Sequence, residues 1–294
     1  MAVVDISLIL PINGTQAELE VFLADINGFA GEISWELIVI DDASNEKLSL
    51  GNWQHDNWRI IHHEEQRGAA AARNTGAEDS SGDHLVFMSS FLSYPSDYID
   101  SLNKFISDRE FDFAQHPITT FDEKSLDPFQ RFIGNQHTRV KAKGEFLPIK
   151  QSLFTAAVIK RETFELIKGF DPEMKHYGGH EMDFIFRMDK AGFNRRLEIK
   201  EIILKRRQIP DKLQTLKRLR EYGRTGLPNL LQKHPELKGD ILPQEWLWRI
   251  LAILGLTRAI ERCLSKTIDK NRKLSHSIYR LYLHLVVRNA WDAR

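Results

Sequence analysis

Only one of the 294 residues is a cysteine, Cys263. A single thiol excludes an internal disulfide framework and a zinc site built from cysteines. The sequence also lacks tandem repeats and low-complexity tracts, and its apolar fraction of 42% excludes a disordered or collagen-like chain. A chain of this length can bury one large core and carry an appendage.

Long hydrophobic runs are also missing. The longest late run, residues 246–256, is too short to span a bilayer and is interrupted by Arg249. The opening residues lack the basic stretch of a signal peptide, and Asp5 interrupts their apolar run, so we expect a buried strand there. These features predict a cytoplasmic protein.

Net charge is absent as well, with 41 basic and 41 acidic side chains. The zero hides an asymmetry, because residues 201–294 carry 20 basic and 9 acidic side chains, whereas the first 200 carry 21 and 32. No nucleic-acid recognition motif accompanies the basic part, so we expect no nucleic-acid partner. The function has to account for both halves.

Buried strands and helices alternate along the first 90 residues. Such alternation predicts an α/β fold with an open, mostly parallel sheet and right-handed crossovers. The segment 110–160 has a weaker pattern and predicts an irregular connection. Apolar runs predict strands at 6–10, 35–40, 58–62, 84–88 and 199–204. Apolar periodicity and small-residue composition predict helices at 16–28, 68–77, 161–168, 181–191, 212–222, 246–260 and 275–289.

Two acidic residues, Asp41 and Asp42, directly follow the second predicted strand. Acidic residues in this position are either turn formers and helix caps or ligand-binding groups. Because ligands bind at the carboxyl ends of the strands in open α/β sheets, these carboxylates can face a base or a ribose. The same edge should carry residues 11–14 (PING) and 89–91 (SSF).

Two further segments have the composition of a binding or catalytic site. In residues 67–76 (RGAAAARNTG), Arg67 precedes a small-residue helix and Arg73 lies within it, and both could face a diphosphate, although tight helix packing explains the alanines equally. In residues 177–184 (YGGHEMDF), a glycine pair precedes a helix start that carries an imidazole and two carboxylates. That arrangement suits either a tuned base or simple helix capping.

The order and spacing of these segments resemble the family 2 glycosyltransferases, enzymes of the GT-A fold with a Rossmann-like open sheet flanked by helices. The resemblance covers roughly residues 4–225 and is carried by ISLILPING, WELIVIDDASNE, RGAAAARNTGAEDSSGDHLVFM and the segment from FTAAVIK to DKAGF. It implies inverting transfer of a sugar from a nucleotide diphosphate sugar to an acceptor hydroxyl. The implied nucleotide-sugar site comprises Pro11, Asn13, Asp41, Asp42, Arg67, Arg73, Ser89 and Ser90.

The resemblance also implies the catalytic base. Matching Asp183 to the later acidic residue of the family pattern places Glu181 where a catalytic Asp is usual, with Gly179 and His180 on the acceptor side. Glu181 and Asp183 are therefore the predicted catalytic pair. A shifted alignment would put Met182 at the base position, so that alternative stays open.

The sequence departs from the family pattern at its metal ligands. The family places an Asp-x-Asp motif, which holds Mg²⁺ or Mn²⁺ on the diphosphate, where this chain has Ser89, Ser90 and Phe91. A histidine that often follows the last strand is replaced by the run Lys205, Arg206 and Arg207. Hydroxyls are poor ligands for these cations. Three explanations remain: the basic run neutralises the diphosphate, a metal binds through other ligands, or catalysis is lost.

We expect a GT-A domain over 1–210 and a helical extension over 211–294. The basic, aromatic-containing extension either docks on anionic lipid at the inner face of the membrane or covers the sheet domain. Family resemblance places the enzyme in surface-polysaccharide or lipopolysaccharide synthesis, with a saccharide or lipid-linked acceptor. The alternatives are a degenerate GT-A protein that binds a nucleotide or a partner, and, less well supported, a nucleotidyltransferase.

Overall fold

The computed structural model describes residues 5–29, 31, 33–53, 55–120, 125–135, 146–175, 177–242, 245–270, 272 and 274–293. Its strands are β1 (Ile6–Ile12), β2 (Trp35–Asp41), β3 (Trp58–His62), β4 (His84–Phe87), β5 (Leu92–Ser93), β6 (Phe113–Gln115), β7 (Ile118–Thr120), β8 (Ala157–Lys160), β9 (Arg196–Glu198) and β10 (Leu204–Arg206). Its first six helices are α1 (Gln16–Ile26), α2 (Ala69–Asp79), α3 (Tyr98–Asp108), α4 (Pro128–Gly134), α5 (Arg161–Leu166) and α6 (His180–Lys190). The remaining six are α7 (Lys212–Glu221), α8 (Leu227–Lys233), α9 (Lys238–Ile241), α10 (Glu245–Ile253), α11 (Leu256–Asp269) and α12 (His276–Trp291), with a π-helical turn at Tyr222–Gly226.

Seven strands form a central sheet in the order β3-β2-β1-β4-β8-β6-β9. β8 runs antiparallel to both of its neighbours, and the other strand pairs are parallel. The carboxyl ends of β1, β2, β3, β4 and β6 therefore lie along one edge. A second sheet has the order β5-β10-β7. The predicted mostly parallel α/β architecture is confirmed.

The pleat of β1 sends alternate side chains to two apolar layers. Ile6, Leu8 and Leu10 pack with apolar residues of α1 and α3 on one face of the sheet. Ile9 packs with the alanines of α2 and with aromatic residues of α5 and α6 on the other face. Burial on both faces explains why the central strands read as continuous apolar runs.

Several predicted elements differ from the structure. Residues 199–204 do not form one strand: β9 ends at Glu198 and β10 begins at Leu204, while Ile199 and Ile202 of the intervening turn fill the core. The segment 110–160 contains β6, β7 and β8, which are too short to show a period. The helix predicted over 246–260 is two helices, because Gly255 adopts a left-handed conformation with φ of 69° between them.

The chain divides into two compact units. The first comprises residues 1–121, 137–175 and 181–207, and the second comprises 122–136, 176–180 and 208–294. The second unit has its own apolar core, in which Phe129 and Phe132 of α4 pack against Tyr279 and Tyr282 of α12. A functional boundary at residue 210 stays a prediction. No helix in the described part of the chain is both long and apolar enough to cross a membrane.

Candidate active site

The loops that follow β1 and β2 are joined by hydrogen bonds at the carboxyl edge of the sheet. The Asn13 side-chain amide donates to the carbonyls of Asp42 and Ala43 at 2.8 and 3.0 Å. The Gly14 N–H donates to the Ser44 hydroxyl at 3.1 Å. Pro11 lies beside them within β1, paired in register with β2. The predicted proximity of these two loops is confirmed, and their contact with a nucleotide stays a prediction.

Asp41 is 2% exposed and organises the loop after β2. One carboxylate oxygen accepts from the Ser44 N–H at 2.9 Å, and the other accepts from the Leu48 N–H at 3.1 Å and lies 2.9 Å from His62 Nδ1. Burial raises the pKa of Asp41, but the bonds from Ser44, His62 and Leu48 outweigh it, so its pKa lies below the usual value. Asp41 therefore acts as an ionised anchor inside the loop.

Asp42 is 4% exposed and anchors the segment that leads into α2. It accepts from the N–H groups of Arg67 and Gly68 at 2.9 and 2.8 Å, and it lies 2.7 Å from His63 Nδ1. The far nitrogen of His63 lies 3.0 Å from the Thr75 hydroxyl of α2. Asp42 thus fixes the start of α2.

Gly68 is required at that start. Its φ is 87°, and a Cβ there would lie 2.8 Å from the Lys175 carbonyl oxygen. The conformation and the space both exclude a side chain. The preceding residue, Arg67, is exposed.

Arg73 and Glu181 form the ion pair that links α2 to α6. The Arg73 guanidinium donates to Glu181 Oε1 at 3.1 Å and to the Phe154 carbonyl at 3.2 Å. It also lies 5.8 and 5.3 Å from the ring centres of Phe154 and Phe170. Burial lowers the pKa of Arg73, and the Glu181 charge opposes that shift. The Glu181 side chain remains 24% exposed, so it faces both a buried cation and solvent.

Asp183 has a different environment on the same helix. Its side chain is 2% exposed and accepts two bonds from Arg187, at 3.0 and 2.9 Å. Arg187 also donates to the carbonyls of Ile167 and Gly169. Asp183 therefore helps to fix α6 to the turn after α5, and its predicted catalytic role stays a prediction.

Gly179 and His180 belong to the second compact unit and directly precede Glu181 in the chain. In that unit the neighbouring Gly178 lies against Tyr222 of the π-helical turn, because a Cβ at residue 178 would be 2.6 Å from the ring. The Tyr177 N–H donates to Glu221 at 3.2 Å. The contact of Gly179 and His180 with the acceptor stays a prediction.

Ser89 and Ser90 follow β4 at the same edge. The Ser89 hydroxyl donates to the Thr155 carbonyl at 2.5 Å, and its N–H donates to the Tyr94 hydroxyl at 2.9 Å. Through these two hydrogen bonds, Ser89 holds the loop after β4 in place.

The basic run of β10 lies directly against that loop. β10 pairs with β5 in the register Lys205 to Ser93 and Arg206 to Leu92. The Arg207 guanidinium donates to the carbonyls of Ser90 and Leu92 and to the Asp25 carboxylate. The two departures from the family pattern, at 89–91 and at 205–207, are therefore in contact.

The three cations differ in accessibility. Lys205 is exposed, whereas Arg206 is 8% exposed, with its guanidinium 5.4 Å from the Phe91 ring centre. The Arg207 side chain is 19% exposed. Lys205 is thus the most accessible of the run.

The described residues do not fit the divalent metal that the family implies. Among them, no group of three His, Cys, Asp or Glu side chains is placed to hold an ion. In the loop after β4 the polar side chains are the hydroxyls of Ser89 and Ser90, and the neighbouring carboxylate, Asp25, is paired with Arg207.

Sequence reasoning missed the two histidines that lie within hydrogen-bond distance of the strand-end carboxylates. β3 ends at His62 and His63 follows it directly, and Asp41 pairs in register with His62 on the neighbouring strand. The sequence did contain a signal for these contacts. Two histidines at the carboxyl end of one parallel strand are expected to lie beside two aspartates at the carboxyl end of the next strand. Asp25, from α1, carried no comparable signal.

The chain matches Glycosyl transferase family 2 over residues 7–167, more than half of its length. Human polypeptide N-acetylgalactosaminyltransferase 3 is 26% identical over 184 residues, which covers 53% of this chain and 29% of that protein. Pre-mycofactocin glycosyltransferase of Mycobacterium tuberculosis is 23% identical over 241 residues, which covers 79% of this chain and 48% of that protein. The chain spans less than half the length of these curated relatives.

Solved structures show the same fold. A mannosyltransferase from Pyrobaculum calidifontis, in complex with GDP-Man and Mn²⁺, superposes with a TM-score of 0.62 at 16% identity, covering 98% of this chain and 88% of that one. GalNAc-T7, with UDP, GalNAc and Mn²⁺, superposes with a TM-score of 0.54 at 14% identity, covering 80% and 51%. The fold is GT-A, and because the family match covers more than half of the sequence, the chain belongs to glycosyl transferase family 2.

Proposed function

We propose that this protein is an inverting glycosyltransferase that uses a nucleotide diphosphate sugar and an acceptor hydroxyl. The observation that carries the proposal is the environment of the Glu181 side chain. Unlike Asp41, Asp42 and Asp183, which are buried in structural bonds, Glu181 keeps a partly exposed carboxylate held by a buried arginine. Family membership and the GT-A fold support the donor class.

In this proposal Glu181 is the general base. It takes the proton of the acceptor hydroxyl as that oxygen attacks the anomeric carbon. The new C–O bond forms on the face opposite the leaving group, while the bond from the anomeric carbon to the diphosphate breaks and its electron pair leaves with the diphosphate. Arg73 positions Glu181 through the hydrogen bond that its guanidinium donates to the carboxylate. Asp183 acts by fixing the helix that carries the base.

The nucleotide end is assigned to the loops anchored by Asp41 and Asp42, with Pro11, Asn13 and the side chain of Arg67 as the groups that meet the donor. The leaving diphosphate is assigned to Ser89, Ser90 and the run Lys205–Arg207. The contact between these two segments supports the assignment, since β10 and Arg207 lie against the loop to which the family resemblance assigns metal-binding carboxylates. Fixed cations can stabilise a developing diphosphate charge.

The acceptor and setting extend the proposal. Gly179 and His180 are assigned to the acceptor side, and the acceptor is a saccharide or lipid-linked saccharide of surface-polysaccharide or lipopolysaccharide synthesis. The curated relatives act in other settings according to their names, so this part rests on family resemblance alone.

A second candidate is a GT-A protein that binds a nucleotide without transfer. The observation that favours it is the absence of metal-binding carboxylates from the described loop after β4. Nucleotide binding that is equally tight in the wild type and in Glu181→Gln, with no turnover in either, would favour this candidate.

The test is a screen of nucleotide sugars for thermal stabilisation and for release of the nucleotide diphosphate, with and without EDTA. With the donor that responds, Glu181→Gln should lower turnover by about 10²- to 10⁴-fold, the range of a general base. Donor-induced stabilisation should persist. Glu165→Gln, an exposed glutamate of α5, is the matched control and should retain wild-type turnover. Turnover of Glu181→Gln near that of the control would refute the base assignment.

A further inference from the structure

The turn between α10 and α11 in the second unit exposes an apolar patch. Ile253 and Leu254 are 84% and 64% exposed, and Trp246 is 67% exposed. Leu256, Ile250 and Ile260 are also exposed. Gly255, in its left-handed conformation, ends α10 and starts α11, so that Ile253, Leu254 and Leu256 lie at the corner. Exposed apolar side chains grouped in this way are typical of a surface that contacts a membrane or another molecule.

The opposite face of α11 shows that the exposed residues are not a mispacked core. Thr257 and Ile268 are buried, and Leu264 packs with the second apolar core of this unit. Their spacing defines an inward stripe of the helix. Leu256 and Ile260 are four residues apart and lie outside that stripe. The helix is therefore docked on one side and apolar on part of the other.

The helix that follows the patch, α11, carries exposed cations. Arg258, Arg262 and Lys266 recur every four residues on α11 and are exposed. The two acidic residues of α11 are held by other helices: Glu261 accepts from Arg220 and Asn289, and Asp269 accepts from Lys212. The basic stripe is thus not neutralised by the acidic residues of its own helix.

We propose that the α10–α11 corner docks on an anionic lipid surface. The corner combines an exposed tryptophan and exposed aliphatic side chains with exposed cations elsewhere on the surface of α11. This is the composition of an interfacial helix, in which the apolar groups enter the headgroup region and the cations meet lipid phosphates. A second copy of the chain fits less well, because a two-fold contact through this face would bring like charges together. The docking is independent of sugar transfer.

The test measures co-sedimentation of the full chain with vesicles of phosphatidylcholine, with or without phosphatidylglycerol, in the absence of nucleotide sugar. We expect binding only to the anionic vesicles and release by high salt, because salt screens the cations. The double variant Ile253→Asp/Leu254→Asp should lower partitioning by about tenfold or more, since it replaces the groups that enter the headgroup region. Leu213→Asp, at an exposed leucine of α7, should bind like the wild type.

Charge-reversal variants separate the contribution of the cations to vesicle binding from the contribution of the apolar side chains. Arg258→Glu/Arg262→Glu should lower partitioning into anionic vesicles by about tenfold or more. Lys104→Glu/Lys217→Glu makes the same change in net charge at exposed lysines of α3 and α7 and is the matched control. Equal losses in the two double variants would show only a net-charge effect and would overturn the assignment.

A third experiment leaves the apolar and basic side chains of the patch unchanged, so that misfolding of a variant cannot explain its result. Cys263, the only cysteine of the chain, is exposed on α11 and can carry an environment-sensitive fluorophore. Its emission should shift to the blue on addition of anionic vesicles, whereas a label at Leu213→Cys in a Cys263→Ser chain should not respond. No shift at Cys263, or self-association that the Asp variants abolish without vesicle binding, would overturn the proposal. Either failure leaves the transfer proposal untouched, since no donor is present.

Discussion

Two parts of the carboxyl edge of the sheet use charge in opposite ways. After β2, the carboxylates of Asp41 and Asp42 accept from backbone N–H groups and from two histidines. After β4, the Arg207 guanidinium donates to backbone carbonyls and to Asp25. One loop is built around anions and the other around a cation.

This difference shows that a charged residue at a strand end serves first to hold the loop that follows the strand. Backbone groups at such an edge have no ladder partner, and a charged side chain satisfies several of them at once. Glu181 and Lys205 keep a larger exposed fraction than these anchors, so we expect them to meet a substrate. Variants at the anchors should therefore act on stability, and variants at the exposed charges should act on turnover.

The largest expected effect is at Asp42. Asp42→Ala removes the acceptor of the Arg67 and Gly68 N–H groups and should lower the free energy of unfolding by about 4 kcal/mol, as expected for several charge-assisted hydrogen bonds. Urea-induced unfolding measures the change. Glu46→Ala, at an exposed glutamate of the same loop after β2, is the control and should cost less than about 0.5 kcal/mol. Equal costs would mean that Asp42 is not an anchor.

Arg207 provides the corresponding test after β4. Arg207→Met keeps much of the aliphatic volume but leaves the Ser90 and Leu92 carbonyls and Asp25 without their donor, at a cost of about 3 kcal/mol. The same urea experiment applies, with Arg109→Met, an exposed arginine next to α3, as the control. If Arg207→Met unfolds like the control but loses turnover, then Arg207 serves the substrate rather than the loop.

The fold was more predictable than the site. β1, β2 and β4 are buried on both faces, so their sequences are continuous apolar runs. α3 was missed although Tyr98, Ile99, Leu102 and Phe105 have helical spacing. β6 and β8 have three and four residues, which is too few for a period, and their place is set by pairing with each other.

For the site, the sequence located Asp41 and Asp42 at a strand end and the resemblance located Glu181. Neither showed which carboxylates are buried, because burial depends on partners distant in sequence. His63 is 21 residues from Asp42, and Arg73 is 108 residues from Glu181. Sequence patterns thus predicted where charges lie, and the packing around them decides what each can do.

His116 is a buried titratable residue at the same edge of the sheet. It differs from the charged side chains of the two loops because it is neutral in the folded protein near pH 7. It follows β6 and is 3% exposed; its Nδ1 lies 3.2 Å from the Ala156 carbonyl, and its Nε2 is buried without a hydrogen-bond partner among the described residues. Burial lowers the pKa of His116 to about 4. Both nitrogens would need partners in the charged form.

The expected result is a pH-dependent stability. The unfolded chain binds a proton at this histidine below about pH 6.5 and the folded chain does not until about pH 4, so stability is complete above pH 6.5 and falls as pH decreases toward 4. By pH 5 the loss relative to pH 7 should be about 2 kcal/mol. His116→Phe removes the titration, so the difference between the two unfolding curves isolates it. Parallel losses in both proteins would place the proton elsewhere.

The smallest expected effect is at Lys205, the exposed cation of β10. If it meets the leaving diphosphate, Lys205→Met should lower kcat/KM by about tenfold, or about 1.4 kcal/mol, with little change in unfolding. Lys200→Met, at an exposed lysine between β9 and β10, is the control and should retain activity. High salt should narrow the gap between wild type and Lys205→Met, because an exposed charge is screened. A loss equal to that of Lys200→Met would leave the cations of β10 as loop organisers only, and the two parts of the edge would then differ in sign but not in role.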